Sequence, residues 1–231
     1  MQNWTFVFDL DGTLIDTAPD LAAATNHVLS RFSLSPVDEN EIRPFVGQGA
    51  LKMIEKALAS HGKHVSQDEL FDLFEVFIAY YAAHIADASR PYPGIIAALD
   101  RLGRDGAKLA VCTNKIESLA RQLLDALGMT RHFDAITGRD SLGAYKPDPK
   151  HLTGTIALAN GDAGRAAMIG DSETDIATAK AAGIPVVAVN FGYSIEPVSI
   201  YGPDVVIGHF DELEPALTRI VASRGRRAQA Q

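Results

Sequence analysis

Near its amino terminus the chain reads Trp4-Thr5-Phe6-Val7-Phe8-Asp9-Leu10-Asp11-Gly12-Thr13. An unbroken apolar run rich in aromatic and β-branched residues predicts a strand over Trp4 to Leu10, buried on both faces as in the middle of a parallel sheet. The run stops at two carboxylates two residues apart, which on an extended chain face the same side. Gly12 then permits a sharp backbone turn that a Cβ would obstruct. Such a pair suits a hard cation, and one of its carboxylates suits attack on phosphorus. The same residues also make an ordinary acidic turn or a calcium-like loop.

Outward from this stretch, similar apolar runs recur at Lys108 to Thr113, Ala166 to Gly170, Pro185 to Asn190 and Asp204 to Ile207, with a shorter one at Ala135 to Thr137. Helical spacing occupies the intervals. Ile116 to Leu127 places Ile116, Leu119, Ala120, Leu123, Leu124 and Leu127 on one face and stops at Gly128. Pro149 to Ala159, Glu173 to Ala182 and Leu213 to Ala222 follow. Strand alternating with helix predicts an α/β fold, a Rossmann-like, doubly wound parallel sheet with helices on both faces. One region breaks the alternation. Leu21 to Phe32, Glu41 to Val46, Ala50 to His61 and Gln67 to Ala86 all carry helical spacing, punctuated by Ser35-Pro36 and Gly47-Gln48-Gly49. Pro91-Tyr92-Pro93-Gly94 returns the chain to the alternating pattern. The expected organisation is an α/β core of residues 1–15 and 89–231, interrupted by a small helical domain at 16–88.

Ligands of an open parallel sheet bind beyond the carboxyl ends of its strands. Three further strand ends carry polar groups suited to phosphate chemistry. Thr113-Asn114 follows the second run as an anion site at a helix entrance or as a plain helix cap. Lys146-Pro147-Asp148-Pro149 either holds its ammonium as a fixed point charge or leaves it solvated beside a proline-started helix. Gly170-Asp171-Ser172-Glu173-Thr174-Asp175 sets two acids one helical turn apart, for a metal and its surroundings or for capping. Four such ends meeting at one sheet edge by coincidence is a poor account of them.

In this order the four stretches resemble the haloacid dehalogenase-like hydrolases, most of which are phosphatases, and the likeness extends over nearly the whole chain. The helical insertion looks like that family's small cap domain, with hinges near Leu14 to Asp16 and Ala88 to Tyr92. The resemblance implies that Asp9 attacks the phosphoryl group and becomes an aspartyl phosphate. Asp11 would protonate the leaving oxygen and then deprotonate the hydrolytic water. It further implies Mg²⁺ held by Asp9, the Asp11 carbonyl and Asp171, with Asp175 ordering the metal's surroundings and Thr113 and Lys146 on phosphoryl oxygens. An acid at position 11 favours phosphate esters, since dehalogenase-type members carry an aromatic residue there. Related mutases often carry a histidine twelve residues after the nucleophile, where this chain has Leu21; His27 lies nearby on a helix.

Finer likeness is to phosphoglycolate phosphatases, through Asp16-Thr17-Ala18-Pro19-Asp20-Leu21, Val46-Gly47-Gln48-Gly49-Ala50, Val111-Cys112-Thr113-Asn114-Lys115 and Asn190-Phe191-Gly192-Tyr193. It implies hydrolysis of a small phosphorylated metabolite, 2-phosphoglycolate first among them. Asn114, Gly47, Gln48, Gly49 and Arg43 are then expected at the substrate, and Lys52 is a second candidate to offset its charge. A sugar-phosphate mutase, a broad-specificity sugar-phosphate phosphatase and a non-catalytic binder of phosphorylated metabolites are the alternatives.

Composition narrows the partners. Lys and Arg number 21 against 29 Asp and Glu, a formal net charge of −8 that repels nucleic acid. The one basic cluster, Arg224, Arg226 and Arg227, reads as a frayed, solvated tail. Cys112 stands alone inside an apolar run and reads as a buried small hydrophobe. No apolar stretch is long enough to span a membrane, and Met1-Gln2-Asn3-Trp4 lacks the basic start of a signal peptide. A cytoplasmic monomer or homodimer without nucleic-acid or membrane partners is expected.

Overall fold

The computed structural model describes residues 1–229, with side chains through Arg224. Its main sheet has six parallel strands in the order β5-β4-β1-β6-β7-β8. They are β1 (Thr5–Phe8), β4 (Lys108–Cys112), β5 (Ala135–Thr137), β6 (Ala166–Gly170), β7 (Val186–Val189) and β8 (Val205–Ile207). β1 is central, as its unbroken apolarity requires: Thr5 to Phe8 pair with Lys108 to Val111 on one side and Ala166 to Ile169 on the other. Side chains alternate between two separate cores, because successive residues of a strand point to opposite faces. Phe6, Phe8, Leu109, Val111, Ala167 and Ile169 pack on one face under α5 (Ile95–Arg104), α6 (Glu117–Ala126) and α9 (Leu213–Gln229). Val7, Ala110, Cys112, Ala166 and Met168 pack on the other under α7 (Pro149–Leu158) and α8 (Glu173–Ala181). Cys112 is wholly buried there, as a small hydrophobe.

The strand order reverses between β1 and β6, since the chain runs outward one way through β4 and β5 and the other way through β7 and β8. That reversal opens a crevice at the carboxyl ends of β1 and β6. Asp9 and Asp171 are the residues immediately past those two ends.

Between β1 and β4 the chain leaves and returns through a two-stranded antiparallel ribbon, β2 (Ile15–Asp16) and β3 (Arg90–Pro91). The helices it carries are α1 (Ala18–Ser30), α2 (Glu39–Ile42), α3 (Ala50–Ser60) and α4 (Gln67–Ala83). α1 packs on α4 and α3, with Leu21, Val28, Ile54, Leu58, Leu73 and Phe77 buried. Asp38 and Glu41 form a capping box at α2, and Ser66 caps α4. The return segment is tied to α1 by the buried Asp20 carboxylate, which accepts from Ala88 N, Ser89 N and the Ser89 hydroxyl at 2.6–3.2 Å.

Several elements depart from expectation. The helix expected over Glu41 to Val46 is α2 followed by a 3₁₀ turn at Arg43–Gln48, because Pro44 interrupts regular α-helical bonding. α5 and the β2–β3 ribbon were not anticipated. α9 continues to Gln229 where a helix to Ala222 and a frayed end were expected. The side chains of Arg226 and Arg227 lie outside the described residues. Among those residues no helix is long and apolar enough to cross a membrane.

Candidate active site

Asp9 is fixed by its own backbone, whose N–H donates to Ile169 O at 2.9 Å and so extends the β1–β6 ladder to the edge of the crevice. Lys146 enters from the loop before α7, and its Nζ lies 2.7 Å from Asp9 Oδ1 and 2.6 Å from Asp175 Oδ1. The lysine is 3% exposed, so the reading of a solvated surface lysine does not hold. Asn114 sets its backbone, donating from Nδ2 to Lys146 O at 2.9 Å and accepting from Lys146 N at 3.0 Å. Asn114 lines the cavity too, but its amide is occupied in bracing the lysine. Thr113 is buried beside it, accepts from Lys115 N at 3.2 Å, and makes no donor bond from its hydroxyl among the described residues.

Asp171 faces Asp9 across the crevice. Its Oδ1 accepts from the Thr13 hydroxyl at 2.8 Å and its Oδ2 from Tyr193 N at 2.8 Å. Two glycines allow this fit. A Cβ on Gly12, at φ +83°, would sit 2.5 Å from Asp171 Oδ2, and one on Gly192 would sit 2.2 Å from Asp171 Cβ. Asp175 lies one turn into α8, where Ser172 and Asp175 cap each other and the helix start. Both Asp175 oxygens are engaged, Oδ1 by Lys146 and Oδ2 by Ser172 N and Oγ.

Carboxylate oxygens of Asp9, Asp171 and Asp175 come within 4.8 Å of one another, with one ammonium among them. Burial is the largest cause lifting Asp9 to about 7; Lys146 pulls it down, while Asp175 and Asp11 add to the rise. Burial, then Asp175 and Asp9, lift Asp171 to about 8. Burial disfavours the charge on Lys146, yet Asp175 and Asp9 outweigh it and hold the ammonium protonated. Asp9 Oδ1 is buried and lies close to Lys146 without an aligned hydrogen bond. Crowded anionic oxygens, one of them lacking a hydrogen bond, fit a divalent cation with oxygen ligands, which would favour the ionised forms. Asp175, committed on both oxygens, fits the outer position.

Asp11 occupies the cavity side. It accepts from the Thr17 hydroxyl at 2.7 Å and from Lys115 Nζ at 2.9 and 3.1 Å. Lys115 also sits over the Tyr81 ring of α4, 4.6 Å from its centroid. Neither Lys115 nor Tyr81 was expected at the site. The cavity, of about 690 Å³, has Asp9, Asp11, Thr113, Lys115 and Lys146 on the sheet side and Leu21, Met53, Phe74, Phe77 and Tyr81 on the helix side. Gly47 and Gly49 border it, and Gln48 borders an adjoining space of about 170 Å³ with Asp9, Asp11 and Asp171. The end of the 3₁₀ turn and the glycine loop thus line spaces shared with Asp9 and Asp11.

Arg43 does not line either space. Its guanidinium grips Asp16 of the ribbon at 3.1 and 3.0 Å, reaches Glu39 at 3.1 Å and lies over the Tyr193 ring. The Tyr193 hydroxyl donates to Asp16 at 2.7 Å and accepts from Thr17 N and Ala18 N. In place of the expected substrate contact, Arg43 brackets the β2–β3 ribbon and Tyr193, because a bidentate carboxylate partner already occupies the guanidinium. Lys52 likewise pairs with Glu55 on the surface. His27 is exposed and stacks on Tyr80 at 4.3 Å, away from the residues that line the cavity.

Comparison with known proteins gives a consistent picture. The family described as haloacid dehalogenase-like hydrolase matches residues 6–189. A phosphoglycolate phosphatase of Mesorhizobium japonicum is 52% identical over 97% of this chain and 100% of its own length. One of Agrobacterium fabrum is 46% identical over 96% and 95%. The crystal structure of a predicted phosphoglycolate phosphatase from Haemophilus somnus superposes with a TM-score of 0.86 at 30% identity, covering 93% of this chain and 98% of that one.

Proposed function

The chain belongs to the haloacid dehalogenase-like hydrolases, and from that premise we propose that it is a Mg²⁺-dependent phosphatase converting 2-phosphoglycolate to glycolate and phosphate. The observation that carries this reading is the buried Asp9–Lys146–Asp175 chain opposite Asp171, opening on a cavity with Asp11 at its edge. Asp9, backed by the sheet, attacks phosphorus; the bond to the ester oxygen breaks, and Asp11 gives that oxygen a proton. Asp11 then takes a proton from the water that attacks the aspartyl phosphate, releasing phosphate and restoring Asp9. The Thr113 hydroxyl and the Lys146 ammonium hold phosphoryl oxygens. Asp9, the Asp11 carbonyl and Asp171 would hold the cation, which when bound would offset the repulsion between carboxylate and phosphate. Asp175 keeps Lys146 charged and in place. Residues 16–88 act as a cap moving about the β2–β3 ribbon and excluding bulk water on closure. Leu21 presents an apolar side chain to the cavity and no proton-transfer group, which favours hydrolysis over mutase chemistry.

Phosphate release across a panel of phosphate esters tests the substrate. We expect 2-phosphoglycolate to rank first by kcat/KM, activity to vanish with EDTA, and Mg²⁺ to restore it. A higher rank for sugar phosphates, or isomerised product without free phosphate, would replace this reading.

A further inference from the structure

Two ammonium groups line the cavity, and they are committed differently. Lys146 Nζ contacts two carboxylates, Asp9 and Asp175, deep in the sheet edge. Lys115 Nζ has one carboxylate partner, Asp11, which leaves donor capacity on a cation whose side chain is only 7% exposed. Arg139 also reaches the cavity, but it is exposed and lies over the Tyr145 ring, where water screens its charge. The walls beyond Lys115 are largely apolar, with Leu21, Phe77 and Leu119 among them.

Asp11 is the group that meets the leaving oxygen in the reading above. A charge on the carbon next to the ester methylene therefore falls beside Asp11, on the side where Lys115 stands. We infer that Lys115 receives the carboxylate of the substrate and so selects short phosphorylated hydroxy acids, and that Tyr81 on α4 positions it. The inference deepens the phosphoglycolate reading and rests on it.

Tyr81 has the features of a positioning residue. It is 1% exposed, its ring face meets the ammonium, and its hydroxyl makes no hydrogen bond among the described residues. The contact is a cation–π one, not an aligned hydrogen bond. Lys115 is the strongest charge acting on the phenol, which burial nonetheless pushes up to about 12, so it stays neutral. Because α4 belongs to the helical insertion while Lys115 and Asp11 belong to the sheet edge, the ring contact forms only while the two pack together, and the Asp11 pair alone remains when they part.

The test is the ratio of kcat/KM for 2-phosphoglycolate to kcat/KM for ethyl phosphate, which replaces the carboxylate by a methyl group. In wild-type protein with Mg²⁺ the ratio is expected well above one. Lys115→Met should lower it about 10–100-fold, the loss of one charge-assisted contact, chiefly through KM for 2-phosphoglycolate. Tyr81→Leu, which keeps the lysine, should lower it about 3–10-fold, and Tyr81→Phe, which keeps the ring, should retain most of it. Thermal melts confirm that each variant is folded. A high wild-type ratio left unchanged by Lys115→Met and Tyr81→Leu, both esters losing the same factor, would overturn the inference and leave the phosphatase reading standing. A wild-type ratio at or below one would overturn the phosphoglycolate reading together with it.

Discussion

Asp9→Asn protein should bind substrate and turn over at least about 10⁴-fold more slowly than wild type. The amide has the same shape and nearly the same volume, so it tests the chemistry and not the packing. Asp9 holds its place through the backbone bond to Ile169 O, which the substitution leaves intact. Lys146 keeps Asp175 at 2.6 Å and is not left as an unpaired buried charge. Thermal stability should therefore change little. Removing a negative charge from the path of an incoming phosphate also lowers repulsion, so KM should hold or fall while kcat collapses. A parallel rise in KM and loss of melting temperature would instead point to a disrupted site.

Lys146→Met should damage both stability and rate. Among the described residues the ammonium is the only cation within contact distance of both Asp9 and Asp175, and all three side chains are buried or nearly so. Replacing it by an apolar side chain of similar length leaves two buried carboxylates uncompensated, a change that typically costs about 3–5 kcal/mol. Urea unfolding in EDTA should show that loss, and Mg²⁺ should recover part of it by binding the folded state. Activity should fall at least about 10²–10³-fold, because a preorganised charge at the phosphoryl oxygens is gone. Lys146→Arg should restore little, since a planar guanidinium does not fit a pocket built around a compact point charge. Full stability in the Met variant would mean that the chain of charges is not what holds this loop.

The parts of the site that were legible in the sequence share one property: each is local. Asp9, Thr113, Lys146 and Asp171 sit at the ends of apolar runs or beside punctuating prolines, so the run that predicts the strand also marks the edge where its polar end emerges. What stayed hidden depends on partners far apart in the chain. Arg43 looks like any helix-surface arginine until Asp16 and Tyr193 converge on it. Lys115 reads as part of a turn until the fold brings Asp11 and Tyr81 to either side of it. Tyr81 is indistinguishable from the aromatic stripe of α4, and only burial of its hydroxyl beside a charge sets it apart. The β2–β3 ribbon has two residues per strand, too few for any periodicity to register, although it is the only paired-strand link between the helical insertion and the sheet among the described residues. α5 follows directly on Pro91-Tyr92-Pro93-Gly94, which reads as a loop, and its ten residues give a helical pattern too short to stand out beside that punctuation. Strand order, too, is a property of pairing: nothing in β6 alone says that it lies beside β1.

In the proposed cycle Asp9 itself carries the phosphoryl group between the two steps. An aryl phosphate, whose leaving group needs no proton, can be turned over by Asp11→Asn protein, where the second step lacks its base and the intermediate accumulates. Rapid acid quench and peptide mass mapping should find one phosphoryl group on the peptide containing Asp9, released by hydroxylamine as an acyl phosphate is, and absent when Asp9→Asn is added. Steady turnover of the aryl ester with no phosphoryl group on that peptide would contradict the account.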